Sequence, residues 1–126
     1  MPAVKPVTAP TTRVLLRLYL DREQPLGPGK IQVLELIRDG GSISEAARTM
    51  KMSYRSAWAL VSSLNELFRT PVVSTTLGGR GGGCAAVTPF GEGVIRCYRA
   101  MERATRRAIA SDLRALERHL RPRSTR

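Results

Sequence analysis

Between Lys30 and Phe68 the sequence carries three amphipathic helical patterns laid nearly end to end, and this succession constrains the fold more than any other feature. Lys30 to Asp39 places Ile31, Leu34 and Ile37 on one face, and Gly40-Gly41 supplies a left-handed termination. Ser44 reads as the N-cap of a second helix through Glu45-Ala-Ala-Arg-Thr-Met50, with Glu45 in the first turn, where the helix dipole favours a negative charge. After Lys51-Met52, Ser53 is again an N-cap. Ala57, Val61, Leu64 and Phe68 then recur along one face of a third helix, which ends near Phe68.

The elements on either side complete the pattern. Residues 1–12, with Pro2, Pro6 and Pro10 among small polar residues, read as a flexible leader. Arg13 to Leu20 has strand length and partial alternation, and Pro25 to Gly29 forms a loop. Pro71 stops helix formation. Val72–Leu77 and Cys84–Val87 then flank the Gly-rich tip Gly78-Gly-Arg-Gly-Gly-Gly83 as a β-hairpin does. Thr88-Pro89 joins an N-cap to a proline at the first helical position, opening a helix expected to run to about Leu120, before a frayed basic tail at 121–126. The fold class expected is mainly α with a small β-hairpin wing, a winged helix-turn-helix over 13–88 followed by a long C-terminal dimerisation helix over 89–120.

The chain's 126 residues fit one domain with one appended element, leaving no length for a ligand-sensing domain. With 42% hydrophobic and 25% charged residues it has the composition of a globular protein. Its longest apolar runs, such as Val14-Leu15-Leu16, fall far short of the roughly 20 residues a membrane span needs. No secretory signal is visible at Met1-Pro-Ala-Val-Lys-Pro6, so a cytoplasmic location is expected. Cys84 and Cys97 match no zinc spacing and are read as reduced, structural thiols. The formal charge of +11 favours a polyanionic partner. Residues 1–93 carry 11 basic and 7 acidic groups, net +4, against 10 and 3, net +7, in residues 94–126. Charge alone therefore does not locate a nucleic-acid site.

The informative run is Ser44-Glu-Ala-Ala-Arg-Thr-Met-Lys-Met-Ser-Tyr-Arg-Ser-Ala-Trp58. A helix-turn-helix needs small residues where its two helices cross, and Ala46, Ala47 and Ala57 meet that need, with Met50 and Met52 filling the turn. Ser53 caps the second of these helices so that its N-terminus can enter a major groove. With Ala57 at the centre of the buried face, Arg55, Ala59, Ser62 and Glu66 point outward, and Ser56 and Ser63 lie nearer the edge. Arg55 and Ser56 are the best base readers, although Arg55 suits a phosphate contact equally well. Tyr54 can reach a phosphate through its hydroxyl, whereas Trp58 is read as structural. Lys51 in the turn, Ser53 itself, and Arg80 on the glycine tip complete the expected DNA-binding set, Arg80 lying along a phosphate backbone or in a minor groove. The tip lacks the Gly-Lys-Ser/Thr ending of a nucleotide-binding P-loop. The sole histidine, His119, has no catalytic partner in any motif, so no enzyme, metal or cofactor is expected.

Four stretches, Gly40-Gly-Ser-Ile-Ser-Glu-Ala-Ala-Arg48, Met52-Ser-Tyr-Arg-Ser-Ala-Trp58, Gly78-Gly-Arg-Gly-Gly-Gly83 and Thr88-Pro-Phe-Gly91, together resemble the N-terminal DNA-binding domain of ModE, the molybdate-responsive regulator family. A more distant likeness is to the LysR-type winged helix. The resemblance covers roughly residues 13–118. It implies a winged helix that dimerises through its long terminal helix, reads a palindromic operator with the helix matching Ser53 to Phe68, and uses the wing as a flanking contact. Cys84 departs from the family, whose glycine run usually continues there. The family's molybdate-binding modules are C-terminal, so the resemblance implies no molybdate binding by these 126 residues alone.

A dimer is also expected from geometry, because about 30 residues of helix extend roughly 45 Å, more than the body of so small a domain can cover. The stripe Tyr98, Met101, Thr105, Ile109, Leu113, Leu116 and Leu120 would face a second chain, with Arg99, Arg103, Arg106, Arg107 and Arg114 solvated around it. The partners expected are therefore double-stranded DNA, as an inverted-repeat operator, and a second copy of the chain. Two rival readings remain: a sequence-neutral or architectural nucleic-acid binder, and an oxyanion-binding or docking module with the Gly-rich tip as an anion nest.

Overall fold

The computed structural model describes residues 11–76 and 84–123; the Gly-rich tip with Arg80, the leader through Pro10 and the last three residues lie outside them. The order of elements is α1 (Pro28–Gly40), α2 (Ile43–Thr49), α3 (Tyr54–Leu67), β1 (Val73–Thr76), β2 (Cys84–Val87) and α4 (Pro89–Glu117). The first three helices close around Ile31, Leu34, Ile37, Ala57, Val61 and Leu64, all buried. Val72, Val73 and Ala85 extend this core under the hairpin, and Val94, Ile95 and Tyr98 seat the first half of α4 on it.

Local chemistry explains most of the boundaries. Pro28 opens α1 at a position where a missing N–H costs nothing. Gly41 closes it with φ 74°, its N–H donating to the Ile37 carbonyl at 2.7 Å. At the start of α4, Thr88 accepts from the Gly91 N–H at 2.9 Å and donates its own proton to the Pro71 carbonyl at 2.7 Å, so one hydroxyl caps the helix and ties it to the hairpin's entry. Antiparallel β1 and β2 pair in the register Val73↔Val87 to Thr76↔Cys84, and the Ala85 N–H donates to the Gly41 carbonyl at 3.1 Å, fixing the hairpin base to the corner between α1 and α2.

The structure corrects several expectations. Arg13–Leu20 is extended, with Val14, Leu16 and Leu18 half-buried and their odd-numbered neighbours exposed, but it forms one antiparallel bridge, Leu18↔Leu26, instead of a ladder. Its returning partner is too short: Pro25 has no N–H to donate, and α1 begins two residues after Leu26. The second helix starts at Ile43, with Ser42 and not Ser44 as its N-cap, the Ser42 hydroxyl accepting from the Glu45 N–H at 2.9 Å. α4 ends at Glu117, so Leu120 lies beyond it in a terminal turn. Both cysteines are free and exposed, so neither fills the core.

Arg99 also departs from expectation. It is half-buried and bridges α1 and α4, donating to both Glu35 carboxylate oxygens at 2.9 and 2.6 Å and to Glu102 at 2.7 Å. Glu102 is the one buried charged residue among those described, and this guanidinium is what satisfies it. The hydrogen bonds it donates to Glu35, first, and to Glu102 hold the Arg99 pKa above its ordinary value against the opposing effect of burial. Beyond Glu102 no described residue of α4 is buried. Ile109 and Leu113 are half-buried, whereas Met101, Leu116 and Leu120 are exposed, as are Arg103, Arg106, Arg107 and Arg114.

Candidate nucleic-acid interface

α2 and α3 cross through side chains small enough to let their backbones approach: Ala46, Ala47 and Ala57 are all buried. The joint between the helices is three tight hydrogen bonds, from the Met50, Lys51 and Met52 N–H groups to the Ala46, Arg48 and Ala47 carbonyls, at 3.0, 3.1 and 3.0 Å. Lys51 takes φ 56°, the left-handed conformation that turns the chain from one helix into the next and costs a side-chain-bearing residue about 1–2 kcal/mol. Met50 and Met52 pack against the core beside it, as their place in the sequence implies.

Ser53 caps α3, its Oγ accepting from the Ser56 N–H at 3.0 Å. The Ser53 hydroxyl donates in turn to Ser56 Oγ at 3.0 Å, which orders both side chains and leaves the Ser56 proton available to an outside acceptor. The outward surface of α3 is then read directly. Tyr54, Arg55, Ser56, Ala59 and Glu66 are exposed, Ser62 is half-buried, and Lys51 and Ser53 are exposed at the approach to the helix. Of the eight residues expected in a DNA-contacting set, six are exposed and Ser62 is half-buried; the eighth, Arg80, lies outside the described residues.

Two features of this surface go beyond the sequence reading. Trp58, read from the sequence as structural, is 43% exposed, and Tyr54 one turn before it, expected to reach outward through its hydroxyl, is 51% exposed. The signal available was their phase: at about 100° per residue Trp58 stands a quarter turn from Ala57, on the flank and not at the centre of the buried face. The second is Asn65, whose amide donates to the Val73 carbonyl at 3.1 Å and accepts from the Val72 and Val73 N–H groups at 2.8 and 3.2 Å. One side chain thereby clamps the root of the hairpin to α3. Among the described residues no three His, Cys, Asp or Glu side chains converge as metal ligands.

Three helices, of which the second and third are joined by a tight turn as in a helix-turn-helix, followed by an antiparallel hairpin and a long last helix, define the winged helix-turn-helix class. Within that class the chain is ModE-like. It is 38% identical over 93 residues to the molybdenum transport protein ModE of Azotobacter vinelandii, an alignment covering 72% of this chain and 34% of that protein. It is 34% identical over 96 residues to the DNA-binding transcriptional dual regulator ModE of Escherichia coli, covering 76% and 37%. Against the molybdenum-pterin-binding protein MopB of Rhodobacter capsulatus it is 40% identical over 86 residues, covering 68% and 32%. The chain therefore spans about a third of the length of the curated relatives it matches. No family model matches it.

Proposed function

We propose that the protein is a sequence-specific, DNA-binding transcriptional regulator that acts as a homodimer on an inverted-repeat operator. The observation that carries the reading is the outward face of α3, where a capped helix N-terminus presents Arg55 and Ser56 beside Tyr54, Ala59 and Ser62 while the opposite face is sealed in the core. In this reading α3 enters the major groove, Arg55 and Ser56 meet base edges, and Lys51, Tyr54 and Ser53 meet the backbone. Arg80 on the wing meets the phosphates or an adjacent minor groove. Residues 13–88 are the DNA-binding unit and α4 the dimerisation element, placed in the cytoplasm with the nucleic acid.

The relatives support the same class, since the Escherichia coli protein is named as a DNA-binding transcriptional regulator and none of those compared is named as an enzyme. Binding of a molybdenum pterin, named for MopB, is not carried over, because the matched stretch is 32% of that protein. Selection of bound duplexes from random DNA tests the proposal. An enriched motif repeated with two-fold symmetry is the expected result; recovery of unrelated sequences, with affinity set by salt alone, would replace the regulator by a sequence-neutral binder.

A further inference from the structure

Trp58 is the chain's single tryptophan, and 43% of its surface is open to water on the helix proposed to read DNA. On α3, ideal helical phase puts it about 20° from Asn65, about 40° from Ser62 and about 60° from Arg55. Asn65 is bonded to Val72 and Val73, so the Trp58 flank faces the hairpin side of the helix. The indole therefore lies between the outermost line of α3 and the wing's root. One turn away on the outward side stands Ser62, whose short side chain does little to hold another surface away from it. Arg55, three residues before Trp58 and exposed, is its neighbour on the helix, and Lys51 is exposed in the turn that leads into α3, so the surface the indole is suited to meet is an anionic one.

An apolar ring beside an exposed guanidinium suits a partner that is anionic overall and apolar at one point. Duplex DNA offers one such group in the major groove, the C5-methyl of thymine, since every other edge there presents hydrogen-bonding atoms. We infer that Trp58 packs its indole on a thymine methyl beside the base met by Arg55, making it a specificity-determining residue of the interface. Tyr54, one turn earlier on the same flank, directs its hydroxyl to the adjoining backbone. This inference rests on the DNA-binding reading above.

The experiment takes the duplex enriched by selection and replaces each thymine in turn by deoxyuridine, which removes the methyl and nothing else. At one position per half-site the intact chain is expected to lose about fourfold in affinity, the worth of one buried methyl group. Trp58→Ala should bind more weakly than the intact chain and be indifferent to that replacement, while Trp58→Phe keeps part of the discrimination. Thermal melts followed by circular dichroism establish that both variants are folded. Because the intact chain has no other tryptophan, its emission reports the contact directly: acrylamide quenching should fall on binding the thymine duplex and recover in part with the uracil duplex. If Trp58→Ala keeps the full sensitivity to uracil, if no thymine position matters, or if the enriched half-site holds no thymine, the inference is wrong. A chain that binds no duplex at all instead overturns the regulator reading, and this inference with it.

Discussion

At the scale of single residues, the structure distinguishes positions that look alike in the sequence. Gly91 and Gly93 both sit in the first turns of α4, yet a Cβ on Gly91 would lie 2.3 Å from the Val72 carbonyl oxygen and 2.7 Å from a Val87 methyl, whereas one on Gly93 meets nothing closer than an Arg96 nitrogen at 3.7 Å. Gly91→Ala should therefore destabilise the fold by about 1–3 kcal/mol, since backbone cannot yield as a flexible side chain does. Gly93→Ala should be neutral or stabilising by up to about 1 kcal/mol, because alanine is the better helix former. Urea unfolding of the two variants makes the comparison. Arg55 is exposed on the outward line of α3, free of any ion pair among the described residues. Arg55→Ala should lose discrimination at one base position per half-site, at about 1–3 kcal/mol, with its stability unchanged. Equal weakening on operator and scrambled duplexes would move Arg55 to the phosphates.

Elements are set by their ends and by what they pack against. Ser42, not Ser44, caps α2, so Ser42→Ala should cost about 1 kcal/mol of stability while Ser44→Ala, at an exposed helical position, costs a few tenths or nothing. Reversal of that order in thermal melts would restore the cap to Ser44. The extended segment before α1 is held to α4 by Tyr98, fully buried, whose hydroxyl donates to the Leu16 carbonyl at 2.5 Å. Burial, reinforced by the charge of Glu102, pushes the Tyr98 phenol above its ordinary value. A group whose pKa is raised by folding contributes its stability in full below the unfolded value of about 10 and loses it as the pH climbs through the folded one. Stability should therefore decline above about pH 10 more steeply in the intact chain than in Tyr98→Phe. At neutral pH the same variant should be weaker by about 1 kcal/mol, having orphaned the Leu16 carbonyl. Parallel alkaline slopes for the two proteins would show that Tyr98 does not carry the effect.

For the whole molecule the governing fact is that α4 outruns its domain. Its 29 residues make a rod of about 44 Å, and its last buried residue is Glu102. Ile109 and Leu113 are half-covered and Leu116 is 68% exposed on a helix otherwise dressed in arginine. Pairing two such helices would cover this stripe and bring two copies of α3 roughly 34–36 Å apart, one turn of DNA. The Glu35–Arg99–Glu102 contacts tie the near half of α4 to α1 and so fix the direction in which the far half leaves the domain; in the proposed dimer they would thereby set the spacing of the two copies of α3. Replacing Ile109 and Leu113 with Asp would put four carboxylates into the paired seam. Sedimentation equilibrium should then show a monomer with its helical content retained, and operator affinity should collapse although the helix-turn-helix is untouched. An intact chain that sediments as a monomer at tens of micromolar would refute the dimer.

What the sequence determined by itself was whatever depends on neighbours along the chain. Gly41, Ser53 and Thr88-Pro89 marked helix ends because caps and dihedral preferences act within a few residues, and the 3.6-residue period assigned Ala57 to the core and Arg55 to the outside. The family resemblance was legible for the same reason, its motifs being contiguous. Only the tertiary structure decided the rest. Residues 13–20 carry a strand's pattern but found one bridging partner; Arg99 carries a solvated residue's charge but met Glu35, 64 positions away; Asn65 reached the hairpin root; and Trp58, apolar by type, keeps 43% of its surface exposed. Pairing, burial and ion contacts between distant segments depend on where the chain returns in space, and no local periodicity encodes that.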